Sequence, residues 1–361
     1  MKRLLIEGAI MLSPRAETIL KSIVGQYIVK AAPVPSHSIT KDYELGLSAA
    51  TIRNEMVQLE QEGYITRPHP SAGGIPLDKG YRCYVTSLGD VKFPQDEQRM
   101  VSHLFHQVEQ ELDVWLNLAA TLIAQKVQNT ALVSMPTTEA CQFKHLELVS
   151  LQDSLALIVL VLRGAKVKQQ LITFDRAVTQ PELTVIANRL SDIYSGLTSN
   201  RILVKNAELS TTEQQTTDCL TKLMEVEDSR EYEEPFINGL HFTLNQPELT
   251  QNHWLAQTLT ELVEQRNLLR NIVPGQLTGK GVHVIIGKEN ESEAIRDYSV
   301  VIGHYGMAGE VTGTVCVVGP TRMPYARTIA TVDYLTMVLG ELVAKLYGEE
   351  PPGNLNLEAN N

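Results

Sequence analysis

Apolar residues recur at helical spacing near the start of the chain and predict a helix with one buried face. Ser13 followed by Pro14 is a typical helix start, because the hydroxyl can cap the first turn and proline suits the first helical position. Pro33 ends this helix, and a second, shorter helix is predicted from Ser36. The apolar positions of the first helix are Ile19, Ile23, Val24, Tyr27 and Ile28.

A third predicted helix follows, and its two faces differ in character. Ser48 is placed to cap it by accepting a hydrogen bond from a backbone amide. Leu47 and Ile52 occupy the two positions of a hydrophobic staple, which would fix the angle at which the chain enters the helix. Ile52, Met56 and Leu59 share one side at about 100° per residue and are predicted to face the core.

The opposite side of the third helix carries residue types that read DNA bases. Arginine pairs bidentately with guanine, asparagine with adenine, and an alanine methyl can contact the thymine methyl. Arg53 and Asn54 could instead be solvated surface residues, but a capped turn before the helix and a hairpin after it favour a recognition helix. The residues predicted to contact DNA from this helix are Ser48, Ala50, Thr51, Arg53, Asn54 and Val57.

A hairpin is predicted directly after the third helix. The segment YITR at 64–67 is typical of a strand, and the chain returns through 75–77 after the loop PHPSAGG. Such a loop suits a wing that lies along phosphates, because glycine lets backbone amides approach closely. An ordinary surface loop is the alternative. The predicted wing contacts are Arg67, His69, Ser71 and Gly73.

The rest of the chain alternates between helices and strands. One amphipathic helix is predicted over 98–128, and a meander of four strands between 129 and 174. A mostly helical stretch then precedes further strands between 281 and 320, and a final helix is predicted from Tyr325 to Leu346. Strands that are interrupted by helices and closed by a helix predict an α+β domain with an insertion.

Charge is divided unevenly along the 361 residues, whose formal net charge is −11. Residues 1–88 hold ten Lys/Arg and eight Asp/Glu, a net of +2, whereas the remaining 273 residues hold 21 and 34, a net of −13. A net of +2 is weak for a nucleic-acid binder. We therefore expect DNA affinity to depend on dimerisation more than on bulk electrostatics.

Enzymatic and metal chemistry is sparse in the sequence. Four widely spaced cysteines without a Cys-x-x-Cys pair suggest neither a zinc site nor a disulfide framework, and they fit a reducing cytoplasm. His103 and His106 could share a metal, but no third ligand is evident. The glycines between 303 and 313 match no nucleotide-binding motif and no catalytic constellation is present, so neither an enzyme nor a cofactor is expected. No stretch is long enough to span a membrane, and translation could begin at Met1 or Met11.

Three stretches resemble the HrcA family, the bacterial heat-inducible transcription repressors. SAATIRNEMVQLEQEGYI is similar to the family's recognition helix with ATIRNEM, and PHPSAGGIPLDKGYRCYV to its PHTSAGR-[IV]-PT wing and GYR-x-YV. GPTRMPY is similar to the family's GP-x-RM-x-Y, and the resemblance runs from Leu12 to about Tyr347. Pro70, Gly74 and Leu77 depart from the wing pattern. Gly74 stands where the family usually has arginine, so the resemblance implies that one wing phosphate contact is lost.

The resemblance also implies an α+β multidomain organisation and a set of partners. It implies a homodimer that represses chaperone operons by binding the inverted-repeat operator CIRCE, releases it on heat shock, and relies on the GroE chaperonin for its active fraction. A metabolite-responsive regulator is the alternative, because the apolar runs 282–286 and 315–318 could line a ligand pocket. The implied parts are an N-terminal winged helix-turn-helix at 13–88, a GAF-like domain with its linker helix at 89–175 and 275–348, an inserted, mainly helical dimerisation domain at 176–274, and flexible ends at 1–12 and 349–361.

Overall fold

Helices and sheets both contribute to the fold, as expected for an α+β protein. The structure is a computed structural model. The predicted flexible ends lie outside the part of the chain that it describes, apart from Leu12. The described residues are 12–42, 46–69, 72–108, 111–136, 141–163, 167–205, 208–229, 235–264, 281–307 and 311–347.

The described residues of the N-terminal unit, 13–88, form four helices and a short hairpin. Its first three helices confirm those expected from the hydrophobic pattern. Strands β1 and β2 pair antiparallel, with Ile65 opposite Pro76 and Thr66 opposite Ile75. The elements are α1 (Pro14–Lys30), α2 (Ser36–Asp42), α3 (Ala49–Gln61), β1 (Ile65–Thr66), β2 (Ile75–Pro76) and α4 (Asp78–Thr86).

Helix α4 is not among the elements that the sequence predicts. Tyr81, Tyr84 and Val85 are residue types that favour strands. Here Tyr81 is buried on the side of α4 that faces the rest of the protein, and the helix packs on α1. Tertiary packing therefore decides the conformation of this segment.

The predicted single helix at 98–128 is in fact two helices, α5 (Gln95–Gln107) and α6 (Leu112–Val127). Val108 is extended, with φ −90° and ψ 158°, and it ends α5. Gln128 adopts a left-handed conformation after α6, and its N–H donates to the carbonyl of Ala124. The apolar residues of both stretches share one periodicity, so the hydrophobic pattern alone does not reveal the break between them.

A five-stranded antiparallel sheet lies at the centre of the fold, in the order β7, β3, β10, β9, β8. Gly303 in β9 faces α13, where a Cβ would lie 2.8 Å from Thr336 and 2.9 Å from Val332, so glycine permits this close packing. Helices α6 and α13 pack on one face of the sheet, and helices α10 to α12 lie on the other. The elements are β3 (Thr130–Val133), β7 (Phe236–Asn238), α10 (Leu240–Leu244), α11 (Pro247–Thr250), α12 (His253–Glu264), β8 (Val282–Ile286), β9 (Tyr298–Met307), β10 (Val311–Pro320) and α13 (Tyr325–Tyr347).

A separate three-stranded sheet has its own core. Residues alternate along its middle strand, so that Ala156, Ile158 and Leu160 are buried against the helices while their neighbours face outward. Gln142 and Thr198 form an isolated bridge beside it. The elements are β4 (Phe143–Gln152), β5 (Leu155–Leu162), β6 (Val167–Thr173), α7 (Gln180–Tyr194), α8 (Ser199–Leu203) and α9 (Thr211–Ser229).

The four strands predicted as one meander are thus divided between two sheets. Strand β3 pairs with β10 and β7, whereas β4, β5 and β6 pair only with one another among the described strands. The three-stranded sheet shares its core with α7 and α9, which were expected to lie in a different domain from these strands. Alternation along a strand predicts which face is buried, but it does not predict the partner strand.

The N-terminal unit shares a continuous hydrophobic core with the five-stranded sheet. Buried residues of α1 and α3 join those of α6 and α13 in one cluster. Arg322 crosses this boundary, since its Nη1 donates to the carbonyl of Ile28 at 2.6 Å and its Nε to Glu248 Oε1 at 2.6 Å. Arg82 crosses it from the other side, with Nη2 donating to the carbonyl of Val284 at 2.7 Å. The unit is therefore fixed to the sheet by packing and by two arginines.

Candidate nucleic-acid interface

The start of α3 is fixed by the predicted cap. Ser48 has extended backbone angles, φ −72° and ψ 152°, and its Oγ accepts a hydrogen bond from the Thr51 N–H at 3.1 Å. The hydroxyls of the same two residues lie 2.9 Å apart. Leu47 is partly buried against the core, as expected for one half of the staple. The first turn of α3 thus has a defined direction.

The two faces of α3 are those expected from the sequence. Ile52, Met56 and Leu59 are buried. Ala50, Arg53 and Asn54 are exposed, and Thr51 and Val57 are half-buried at the border of the exposed face. Glu55 lies on another side, where its Oε1 is 3.1 Å from Arg15 Nε. The structure therefore brings the predicted base-reading side chains together on one accessible strip.

Arg67 does not point freely outward from the hairpin. Its Nε donates to Glu60 Oε2 at 2.9 Å, its Nη2 donates to the same oxygen at 2.5 Å, and its backbone N–H donates to Glu60 Oε1 at 3.0 Å. The Arg67 side chain is only 8% exposed. A phosphate contact by Arg67 would require this pair to open.

The other predicted hairpin residues lie in different environments. His69 is exposed near the tip, and Ser71 lies outside the described residues. Gly73 is buried, and a Cβ at this position would lie 2.5 Å from the carbonyl carbon of Val34. The structural need for glycine at 73 is therefore close packing against the α1–α2 connection.

Gly74 faces the interior, although the resemblance places a basic residue at this position. Its N–H donates to the Val34 carbonyl at 2.8 Å, and the Val34 N–H donates to the Gly74 carbonyl at 3.0 Å. A Cβ at 74 would lie 3.1 Å from both Ile65 Cδ1 and Met56 Cε. The Cα–Cβ bond of a residue at 74 would therefore point toward the core. The structure does not support the expected loss of a phosphate contact at this position.

Two residues of this region were missed by the sequence reasoning, Glu60 and Lys79. Lys79 Nζ donates to the carbonyl of Glu62 at 2.8 Å and lies 4.1 Å from the centre of the Tyr64 ring. Both residues connect the end of α3 to elements beyond the turn. Helical periodicity does not predict either interaction, because a turn of the chain separates Glu60 from Arg67 and Glu62 from Lys79.

Of the two apolar runs proposed as an alternative ligand pocket, 315–318 is packed core, whereas in 282–286 only Ile286 is fully buried. Residues Val315 to Val318 of β10 are fully buried between the two helical layers. A cavity of about 450 Å³ lies elsewhere, between the end of α1, the end of α6 and the segment 320–327. In the described ranges, no three His, Cys, Asp or Glu side chains group closely enough to hold a metal ion. None of the described helices has the length and apolar character to cross a membrane.

These features define an α+β protein with several cores and a capped helix that presents a polar, accessible face. Residues 113–329 match the family described as HrcA protein C terminal domain. The chain belongs to the HrcA family, which confirms the resemblance seen in the sequence.

Similar proteins support this assignment along almost the whole chain. A protein of Dehalococcoides mccartyi named heat-inducible transcription repressor HrcA is 53% identical over 343 residues, which cover 95% of this chain and 99% of that protein. A protein of the same name from Herpetosiphon aurantiacus is 38% identical over 346 residues, covering 94% and 97%. A crystal structure described as that of a hypothetical protein has a TM-score of 0.61 at 24% identity, covering 93% of this chain and 99% of that one. This last likeness concerns the fold alone.

Proposed function

We propose that this protein is a heat-inducible transcription repressor that binds double-stranded DNA. The observation that carries the proposal is the exposed strip of α3, where Arg53, Asn54 and Ala50 lie together beyond a capped first turn. The relatives named as heat-inducible transcription repressors support the same function. The N-terminal unit then acts as a winged helix-turn-helix, with α3 as recognition helix and the β1–β2 hairpin as wing.

In this function α3 enters the major groove and reads base edges. Arg53 is suited to O6 and N7 of guanine, Asn54 to N6 and N7 of adenine, and the methyl of Ala50 to a thymine methyl. Ser48, Thr51 and Val57 border the same strip and would contact the backbone or sugar edges. The wing would contribute His69 and Ser71 near its tip.

The proposed operator is an inverted repeat, CIRCE, bound by a homodimer. A single winged helix offers little contact area, whereas two units related by a twofold axis combine their affinities on two half-sites. The outer face of the three-stranded sheet supports the dimer. It carries an apolar row in which Val149 lies opposite Leu157 and Leu157 opposite Leu171. Val149 and Leu171 are exposed, and a second copy of this face would bury them.

The arrangement of cores supports a revised set of domain boundaries. The GAF-like domain corresponds to the five-stranded sheet with α5, α6 and α10 to α13. The inserted dimerisation domain corresponds to 141–229, because β4, β5 and β6 share their core with α7 and α9. The insertion is then a sheet covered by helices rather than a mainly helical domain.

Release on heating follows if the native dimer is marginally stable. Warming then shifts protein from the DNA-competent state to an unfolded one, and the GroE chaperonin sets how much competent protein remains. Operator occupancy would thus report the folding load of the cell. A titration of operator binding against temperature, with and without chaperonin, tests this idea, which fails if neither changes occupancy.

The direct test of DNA binding is a gel shift of the full-length protein. The proposal expects tight binding to an inverted-repeat oligonucleotide and weaker binding to a scrambled sequence of the same length and composition. Equal affinity for the two duplexes at physiological salt would contradict sequence-specific repression, because non-specific binding rests on phosphate charge alone.

A further inference from the structure

We propose that Glu60 and Arg67 form a clamp that positions the wing on the recognition helix, and that Arg67 acts on DNA binding through Glu60 and not through a phosphate. The inference rests on the proposed function of α3 and the hairpin. Glu60 lies in the last turn of α3, and Arg67 directly follows β1. One carboxylate thus connects the end of the helix to the start of the wing loop.

The geometry of the pair leaves the Arg67 side chain little freedom to contact a DNA phosphate. Three of its donors, the backbone N–H, Nε and Nη2, are directed to the two oxygens of Glu60. Its side chain is 8% exposed, whereas that of Glu60 is 32% exposed. Turning the guanidinium toward a phosphate would break its two hydrogen bonds to Glu60 Oε2 and leave the carboxylate without its cation, which is costly for a part-buried pair.

The charge balance of the pair leads to the same conclusion. The side-chain hydrogen bond from Arg67 lowers the pKa of the Glu60 carboxyl, so Glu60 remains an anion beside the proposed DNA surface. An anion there would repel phosphates if it were unpaired. Paired with Arg67, it contributes no net charge. The arginine therefore makes a carboxylate tolerable at the edge of the DNA-binding face.

The clamp completes the fixation of a very short hairpin. Each strand of the hairpin has two residues. On the β2 side, the two hydrogen bonds between Val34 and Gly74 hold the returning chain against the α1–α2 connection. On the β1 side, Glu60 holds Arg67, directly before Pro68 and His69 of the tip. The two sides together fix the strands of the hairpin relative to α3.

A double-mutant cycle on the full-length protein tests the clamp. The variants are Glu60→Gln, Arg67→Gln and the pair together, with operator affinity measured over a range of salt concentrations. We expect each single change to weaken operator binding by about tenfold, since a hydrogen bond to a charged group is worth about that factor. The double variant should be no weaker than either single variant. In the double variant, which changes no net charge, the dependence of log K on log salt should keep its slope.

If Arg67 instead contacts a phosphate, the opposite results are expected. The double variant would then show a slope reduced by about 0.9, because one fewer counterion is released. Glu60→Gln would strengthen binding by removing a negative charge. Either result would overturn the clamp. Glu17→Gln removes a carboxylate from α1 of the same unit, where it pairs with Lys21, and serves as the matched control for charge.

Two further measurements separate positioning from general stability and from the proposed function itself. Footprinting should show that Glu60→Gln and Arg67→Gln lose protection of the backbone under the wing while protection under α3 is retained. Arg67→Lys, which keeps the positive charge, should retain part of the protection under the wing. Amide hydrogen exchange without DNA should be faster over 65–76 in Glu60→Gln and unchanged over α3. Unchanged exchange in the hairpin would refute the clamp. Failure of the wild type to prefer the inverted repeat would refute only the proposed function.

Discussion

The rings of Tyr81 and Tyr325 lie with their centroids 5.8 Å apart and their planes at 52°. Tyr81 belongs to α4 of the N-terminal unit, and Tyr325 begins α13 on the five-stranded sheet. Both side chains are buried. They come from GYRCYV and GPTRMPY, two stretches that resemble the family in sequence. These stretches therefore meet at one internal interface.

Arg322 at this interface is expected to couple the stability of the two parts. Arg322→Met removes the bonds to Ile28 and Glu248 and should lower the free energy of unfolding by about 1.5–3 kcal/mol, the range for hydrogen bonds to charged groups. Calorimetry should then show the N-terminal unit melting before the sheet. Arg296→Gln, which alters an exposed pair with Glu293, is the control and should change little. A single unchanged transition in Arg322→Met would contradict the coupling.

The exposed strip of α3 should determine base preference. Arg53→Ala and Asn54→Ala are each expected to weaken specific binding by about 1–3 kcal/mol and to relax the preference at one base position. Affinities for the operator and for random DNA, measured by fluorescence anisotropy at one salt concentration, give the comparison. Gln61→Ala, at the far end of the same helix, is the control. Equal losses on both DNAs would assign these residues to phosphates.

Gly73 and Gly25 should respond to alanine in opposite directions. At Gly73 the added Cβ would meet the backbone of Val34 at 2.5 Å, so Gly73→Ala must displace the hairpin and should destabilise the protein by about 1–3 kcal/mol. At Gly25 in α1 nothing lies within 4 Å of the added Cβ. Gly25→Ala should stabilise by roughly 0.5–1 kcal/mol, because glycine is unfavourable inside a helix. Urea unfolding of both variants checks the signs.

The Glu60–Arg67 pair should contribute pH-dependent stability. The side-chain hydrogen bond from Arg67 lowers the pKa of the Glu60 carboxyl below the ordinary value of 4.5. A carboxyl with a lowered folded-state pKa stabilises the protein above its unfolded-state pKa, and this contribution is lost as the pH falls through the folded-state value. Unfolding by urea should therefore separate wild type from Glu60→Gln at neutral pH, and the difference should shrink below about pH 4.5. Gln61→Ala, which changes no titrating group, should retain the wild-type pH dependence.

The three-stranded sheet should carry the dimer contact. Leu171 is 56% exposed on its outer face, and Leu171→Lys should weaken dimerisation by about tenfold or more, since burying a leucine is worth roughly 1.5–3 kcal/mol. Sedimentation over a concentration series measures this. Val185 is 66% exposed on α7, which packs on the opposite face of the sheet, so Val185→Lys is a matched control. Equal effects from the two lysines would place the interface elsewhere.

Sequence patterns predict those features of this protein that are determined by residues close together in the chain. The Ser48 cap and the buried residues Ile52, Met56 and Leu59 follow from capping chemistry and helical periodicity. Helix α4 does not, because its strand-favouring residues are held as a helix by contacts with α1 and α13. The hydrogen bonds between Glu60 and Arg67 are also not predicted by periodicity, since a turn separates the two residues. Strand pairing depends on partners such as β10, which lies far along the chain from β3.

The continuous core between the N-terminal unit and α13 has a consequence for genetics. A substitution at Arg322 or Tyr325 is expected to disturb the packing of the proposed DNA-binding unit on the sheet without removing a DNA contact. Loss-of-repression alleles in this gene are thus expected to map to residues deep in the carboxy-terminal half as well as to α3. Their phenotype would resemble that of a DNA-contact allele, while the DNA-reading surface keeps its native residues.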